Sequence, residues 1–182
     1  MTTAQPHPDV LVVHASKSGG TAGIAVIIAE QLRAEGLTVD VATAADAASR
    51  DVTLAGYRAV VLGSALYAGR WRHDAVRFLR RHRVMLRGRP VFLFQSGPCG
   101  PDAARNAEIG AAEPGVIQRL REDIDADPPI TFGGVLDPAT ARGLLARWMA
   151  RGELVGDHRD PDRIRAWART IALAVPPLHP AG

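Results

Sequence analysis

The chain reads as a doubly wound α/β domain, three layers deep, with a parallel sheet between two layers of helices. Two observations carry this. Apolar runs of strand length at Val10–Val13, Arg58–Ser64 and Val91–Ser96 each open into a loop of small residues, and helical periodicity follows at least the first two. Such alternation implies parallel strands, and ligands then bind at the carboxyl ends of the strands, where connections diverge to opposite faces. All three loops should therefore face one crevice. At 182 residues, one domain over 9–175 with short tails at 1–8 and 176–182 is expected.

Val10, Leu11, Val12 and Val13 suit a strand buried on both faces. Ile24, Ile27, Ile28 and Leu32 then recur at helical spacing, with Gly36 as a C-terminal cap. Leu37–Ala42 alternates around Val39 and Val41 as a second strand nearer the sheet edge, and Asp46–Leu54 reads as a short helix before Gly56. Arg58–Ser64 is the third strand. Ala75, Phe78, Leu79, His82, Met85 and Leu86 form one face of the next helix, and Val91–Ser96 is the fourth strand. Residues 98–129 are rich in Gly, Pro, Ala and acids, with one helical stretch at Val116, Ile117, Leu120 and Ile124, and read as a lid or a loose crossover. Ile130–Leu136 is the fifth strand. Asp137-Pro138 and Asp160-Pro161 each open a helix with a capping acid followed by proline, and Pro176 stops the second.

The turn after the first strand carries the chemistry. A strand-to-helix turn aims unpaired backbone N–H groups and the positive end of the helix dipole at one spot, here surrounded by the hydroxyls of Ser16, Ser18 and Thr21. Gly19 and Gly20 remove the Cβ atoms that would hold backbone away from an anion and permit positive φ. The residue types fit a phosphate receptacle. A plain capping turn needs one hydroxyl, and three would be surplus. Neither G-x-x-x-x-G-K-[ST] nor G-x-G-x-x-G is present, since Lys17 precedes the glycines.

The pattern Ser/Thr-x-Ser/Thr-Gly-x-Thr directly after the first strand resembles the phosphate-binding loop of the flavodoxin-like family, which holds flavin mononucleotide (FMN). The resemblance implies a five-stranded sheet of order 2-1-3-4-5, with Ser16, Lys17, Ser18, Gly19, Gly20 and Thr21 at the phosphate. It also implies that Ala65, Leu66, Tyr67, Ala68, Gly69 and Trp71 form a wall for the flat, largely apolar ring, with Tyr67 and Trp71 as its aromatics. The alternative for Trp71 is to staple the next helix onto the sheet. Ser96, Gly97, Pro98, Cys99 and Gly100 would line the ring's polar edge, the stretch from Gly97 to Gly100 supplying backbone N–H groups from its non-proline residues. Within the family, Gly63–His82 and Gly156–Ala168 are similar to the branch that includes menaquinone-dependent protoporphyrinogen dehydrogenases. That implies an FMN-dependent oxidoreductase passing electrons from a reduced small molecule, such as a porphyrinogen, to a quinone-type acceptor. Such a scheme demands no catalytic acid or base. An electron carrier without its own substrate and a flavin-free interaction module are the two alternatives.

Of 22 basic residues only Lys17 is a lysine, and the net charge is +3. Basicity is local: residues 70–89 hold eight arginines against one acid, Asp74. Arg77, Arg80, Arg81 and Arg87 fall largely on the helix face opposite the apolar one, which reads as a solvated face or as a dock for anionic lipid or an acidic partner. No interleaved aromatics suggest nucleic acid. A single cysteine excludes an internal disulfide, and the six histidines show no metal-ligand spacing. No apolar run reaches membrane-span length, so a cytoplasmic protein, peripheral to the inner face of the membrane if the basic face docks there, is expected. Ser96, Asp137 and His158 have the chain order of a hydrolase triad, but no G-x-S-x-G elbow accompanies them.

Overall fold

A computed structural model describes residues 8–17, 19–49, 54–97, 99, 112–136 and 155–177. The described elements run β1 (Val10–Ala15), α1 (Gly20–Ala34), β2 (Val39–Thr43), α2 (Ala44–Ser49), a 3-10 turn (Leu54–Gly56), β3 (Ala59–Tyr67), β4 (Arg70–Trp71), α3 (His73–Leu86) and β5 (Val91–Ser96), followed by α4 (Gly115–Asp123), β6 (Ile130–Phe132), β7 (Val135–Leu136), β8 (Gly156–Asp157) and α5 (Pro161–Ala174). The main sheet has the order β2-β1-β3-β5-β6, all parallel. Counted along the chain, its five parallel strands stand in the expected order 2-1-3-4-5.

Double burial explains the central strands. Leu11, Val13 and Ala15 face a core shared with Ala44, Ala75, Phe78, Leu79 and Ile117, hence with α2, α3 and α4. Val10 and Val12 face the other core with Ile24, Ile28, Leu32, Ile164 and Ala168, hence with α1 and α5. Each fully buried Val or Leu contributes about 1.5–3 kcal/mol, so the two faces together hold β1 at the centre. Gly36 ends α1 as expected: its φ of 87° is left-handed, and Leu37 N–H bonds back to the Leu32 carbonyl at 3.1 Å. Asp160 caps α5 by accepting from the N–H groups of Asp162 (3.1 Å) and Arg163 (3.0 Å), with Pro161 just inside the helix.

Four segments depart from the sequence reading. The helix expected over 46–54 is instead α2 and a separate 3-10 turn. β2 is shifted to Val39–Thr43, and Val41, unlike Val39 on the same face, is exposed at the sheet edge. β3 continues past Ser64 to Tyr67 and folds back as a hairpin onto β4, so the expected ring loop is paired strand. The fifth strand stops at Phe132, because Gly133 and Gly134 sit where no side chain fits: a Cβ on Gly133 would lie 1.9 Å from the His158 carbonyl oxygen. The chain then forms a two-stranded antiparallel ribbon, β7 with β8. The helix expected after Asp137, and much of the segment 98–129, lie outside the described residues.

An aromatic cluster closes the α1–α5 side. The rings of Phe94, Phe132 and Trp167 lie with centroids 5.6–6.2 Å apart. Gly63 is required beneath it, since a Cβ there would lie 1.9 Å from Cζ of Phe94. Gly63→Ala should therefore lower stability by about 1–3 kcal/mol in urea unfolding. Combining it with Phe94→Leu should recover part of the loss, and an additive double variant would contradict this packing.

His82 is a core histidine on α3, its ring tilted 46° to that of Phe78 with centroids 4.7 Å apart, and its Nε2 is buried without a hydrogen-bond partner. Burial lowers its pKa, against a hydrogen bond to the Ala47 backbone that raises it, and the Arg81 charge lowers it further. The unfolded chain thus binds the proton more readily than the folded one, so this contribution is complete above the ordinary value of 6.5 and is lost as pH falls below it. The urea midpoint should drop between neutral pH and about pH 5, with a shallower slope for His82→Leu. Equal slopes would remove His82 as the cause.

Candidate functional site

The carboxyl edge of the sheet brings three loops together. In the first, Gly19 is the N-cap of α1 with φ 85°, and its N–H donates to Ser16 Oγ at 3.0 Å. No side-chain hydrogen bond caps the helix. The first intrahelical bond runs from Gly23 N–H to the Gly19 carbonyl at 2.9 Å, so the N–H groups of Gly20, Thr21 and Ala22 precede it. In front of Gly19 is open space: a Cβ there would meet nothing within 4 Å. Gly20 is glycine for another reason, because a Cβ would sit 3.3 Å from the Val135 nitrogen, where β7 lies against the helix start.

The hydroxyls divide their roles. Ser16 shapes the turn, while Thr21 is only 1% exposed and its Oγ1 lies 2.6 Å from the buried Ser96 Oγ. The expected ring of three open hydroxyls is thus corrected: Thr21 links α1 to β5 internally. Ser18 lies outside the described residues.

The second loop is the β3–β4 hairpin. Leu66 pairs with Trp71 and Tyr67 with Arg70. Ala68 (φ 49°) and Gly69 (φ 71°) form its two-residue turn, both in the left-handed region that such tight hairpins need. Ala65 pairs with Ser96, and the buried Ser64 hydroxyl accepts from the Arg72 N–H at 2.9 Å, fixing the returning strand. The two aromatics part company. Tyr67 is 48% exposed, and Lys17 Nζ lies 5.4 Å from its ring centroid. Trp71 is 5% exposed, packs in the α3-side core, and donates from Nε1 to Gln95 Oε1 at 2.9 Å, while Gln95 Nε2 donates to Thr131 Oγ1 at 3.1 Å. Trp71 therefore ties the hairpin to the sheet, and the aromatic face presented by this loop is that of Tyr67.

In the third loop the Gly97 N–H donates to the Phe132 carbonyl at 3.0 Å. It belongs to the sheet, which corrects the expectation that it serves a ring edge. Gly134 packs against this loop, since a Cβ on it would lie 2.7 Å from the Gly97 oxygen and 2.8 Å from Cys99 Sγ. The Cys99 thiol lies 3.7 Å from the Gly97 carbonyl, and burial pushes its pKa up, which disfavours the reactive thiolate. Pro98 and Gly100 lie outside the described residues.

Several contributors carry no short-range sequence signal: Gln95, Val135, and Arg159, whose guanidinium lies over Gly23 on α1. One was visible. His14 breaks the apolar run of β1, and its buried Nδ1 lacks a hydrogen-bond partner; burial lowers its pKa. Among the described residues no group of three His, Cys, Asp or Glu side chains could hold a metal ion, and no helix is long and apolar enough to cross a membrane.

The arrangement fits a phosphorylated flat ring. Helix-start N–H groups and open space before Gly19 suit a phosphate, Lys17 adds a cation, and Tyr67 offers an aromatic face beside it. Comparison with known proteins agrees with this architecture. Residues 11–137 match the Flavodoxin domain family. No curated protein matches the chain. Among solved structures, a flavodoxin from the domain Archaea superposes with a TM-score of 0.60 at 15% identity, covering 92% of this chain and 98% of that one. Oxidised flavodoxin 2 from Bacillus cereus gives 0.58 at 20% identity, covering 91% and 97%. Rubredoxin oxygen:oxidoreductase from Desulfovibrio gigas gives 0.63 at 18% identity, covering 94% of this chain, which spans only 37% of that larger protein. With the family matched over most of its length and the fold shared, the chain belongs to the flavodoxin domain family.

Proposed function

We propose that this protein binds FMN in the crevice at the carboxyl edge and passes electrons from a small reduced donor to a quinone-type acceptor, a porphyrinogen being the donor to test first. The observation that carries the FMN assignment is the meeting of the first two loops, with the only lysine of the chain beside the exposed Tyr67 ring, 5.4 Å from its centroid. FMN, when bound, supplies one- and two-electron chemistry. The chain supplies the rest. Backbone N–H groups of Gly20, Thr21 and Ala22 and the positive helix end hold the phosphate, and the Lys17 ammonium adds charge against it. Tyr67 stacks on the ring, while the Trp71–Gln95–Thr131 chain and the Thr21–Ser96 pair keep hairpin and helix start at fixed separation. The donor and acceptor rest on the likeness of Gly63–His82 and Gly156–Ala168 to the porphyrinogen-oxidising branch.

The purified protein should be yellow, or should take up added FMN at micromolar concentration with a shifted flavin absorption band. A colourless protein that takes up none would overturn the assignment. Gly19→Ala places a side chain at φ 85° at a cost of about 1–2 kcal/mol, so FMN affinity should fall roughly tenfold while the far-ultraviolet circular dichroism stays unchanged. Unchanged affinity would move the phosphate elsewhere. For the reaction, turnover of reduced porphyrinogen with a menaquinone analogue is expected; single-electron exchange with a reductase alone would make the protein a carrier.

A further inference from the structure

The arginine-rich helix divides in two. At its C-terminal end Arg87 Nε donates to the Asp123 carbonyl at 2.6 Å, and the guanidinium groups of Arg87 and Arg83 lie 3.5 and 3.9 Å from the Asp123 carboxylate. Those charges are spent on holding α4, and Arg87 leaves the expected docking set. Toward the N-terminus the picture reverses. His73, Arg77, Arg80 and Val84 follow at intervals of four, three and four along α3 and stand exposed on one face, Val84 at 72%. Neither Arg77 nor Arg80 forms an ion pair among the described residues, nor does exposed Arg70 on the hairpin, next to the turn that follows Tyr67. A shallow groove of about 350 Å³ runs between these side chains, lined by His73, Val76, Arg77, Arg80 and Arg81. Asp74, on the same helix, lies 4.0 Å from His73 Nδ1.

We infer that this face docks the protein on a bilayer bearing anionic phospholipid. Guanidinium groups bind phosphate oxygens through paired donors, and the groove gives a headgroup a seat between those of Arg77 and Arg80. Long arginine stems lie along apolar surface with their charged ends at the headgroups, so an exposed valine amid arginines suits a bilayer interface. An acidic protein would match the charge but leave Val84 without a purpose. Arg70 continues the basic face to the hairpin, so docking sets the crevice edge beside the membrane, where a lipid-soluble acceptor would be reached. The docking rests on charge and exposure alone and stands apart from the flavin assignment.

Vesicle flotation with the full chain tests it without reference to flavin. The protein should float with vesicles of phosphatidylcholine and phosphatidylglycerol in equal parts, stay down with phosphatidylcholine alone, and detach as salt rises. Arg77→Glu with Arg80→Glu should lower the partition coefficient at least about tenfold, since each cation at the surface contributes on the order of one kcal/mol. Arg77→Lys with Arg80→Lys should retain binding. So should the control Arg119→Glu with Arg165→Glu, which changes the net charge equally. Failure to float, equal binding to both vesicle types, or an equal loss in the control would overturn the docking face. Retention on soluble polyglutamate without flotation would assign the face to an acidic protein instead and would equally overturn it.

Discussion

Strands buried on both faces have nowhere to put a polar group except at their ends, and the site depends on that constraint. Within β1, β3 and β5 the buried residues are apolar until the last few positions, where Ser64, Gln95 and Ser96, with the partly buried His14, appear together at one edge. A buried polar group without a partner costs about 1–3 kcal/mol, so most of these must be bonded, and the partners lie on the segments that meet at that edge. Ser64 holds the start of α3 through the Arg72 N–H, Gln95 holds the hairpin through Trp71, and Ser96 holds α1 through Thr21. The requirement to satisfy buried polar atoms thereby becomes the rigidity of the crevice.

That rigidity separates two tasks. The helix start needs backbone N–H groups free of side-chain caps, and the hairpin must offer an aromatic face at a set distance from them. Lys17 spans the two, exposed and lying over the Tyr67 ring. The β7–β8 ribbon braces the arrangement from behind: Val135 lies on Gly20 and Gly134 lies on the loop after β5.

Much of the framework was legible because strand identity and strand ending are local. Val10–Val13 and Val91–Ser96 announced buried strands, Gly36 a helix end, and Asp160-Pro161 a helix start, each through the chemistry of its own few residues. The glycine turn that opens α1 was legible for the same reason. What stayed hidden depends on distant partners or on an unfavourable local choice. Thr21 meets Ser96 across 75 residues, and Trp71 meets Gln95 only when the hairpin folds back. The hairpin itself was masked by Ala68, which adopts a positive φ that alanine disfavours, so nothing in the letters marks a tight turn. Gly133 and Gly134 read as a weakened strand, whereas they are glycines because backbone and a thiol pass within Cβ distance.

An organised crevice makes a sharper demand than flavin binding in general: the phosphate must matter. Riboflavin carries the same ring without the phosphate, so competing titrations of the flavin-free protein with FMN and riboflavin, read by flavin fluorescence, isolate the helix-start contribution. Charge-assisted hydrogen bonds of about 1.5–3 kcal/mol each predict FMN binding at least about a hundredfold tighter than riboflavin. Equal affinities would contradict the account, because the turn before α1 would then hold nothing.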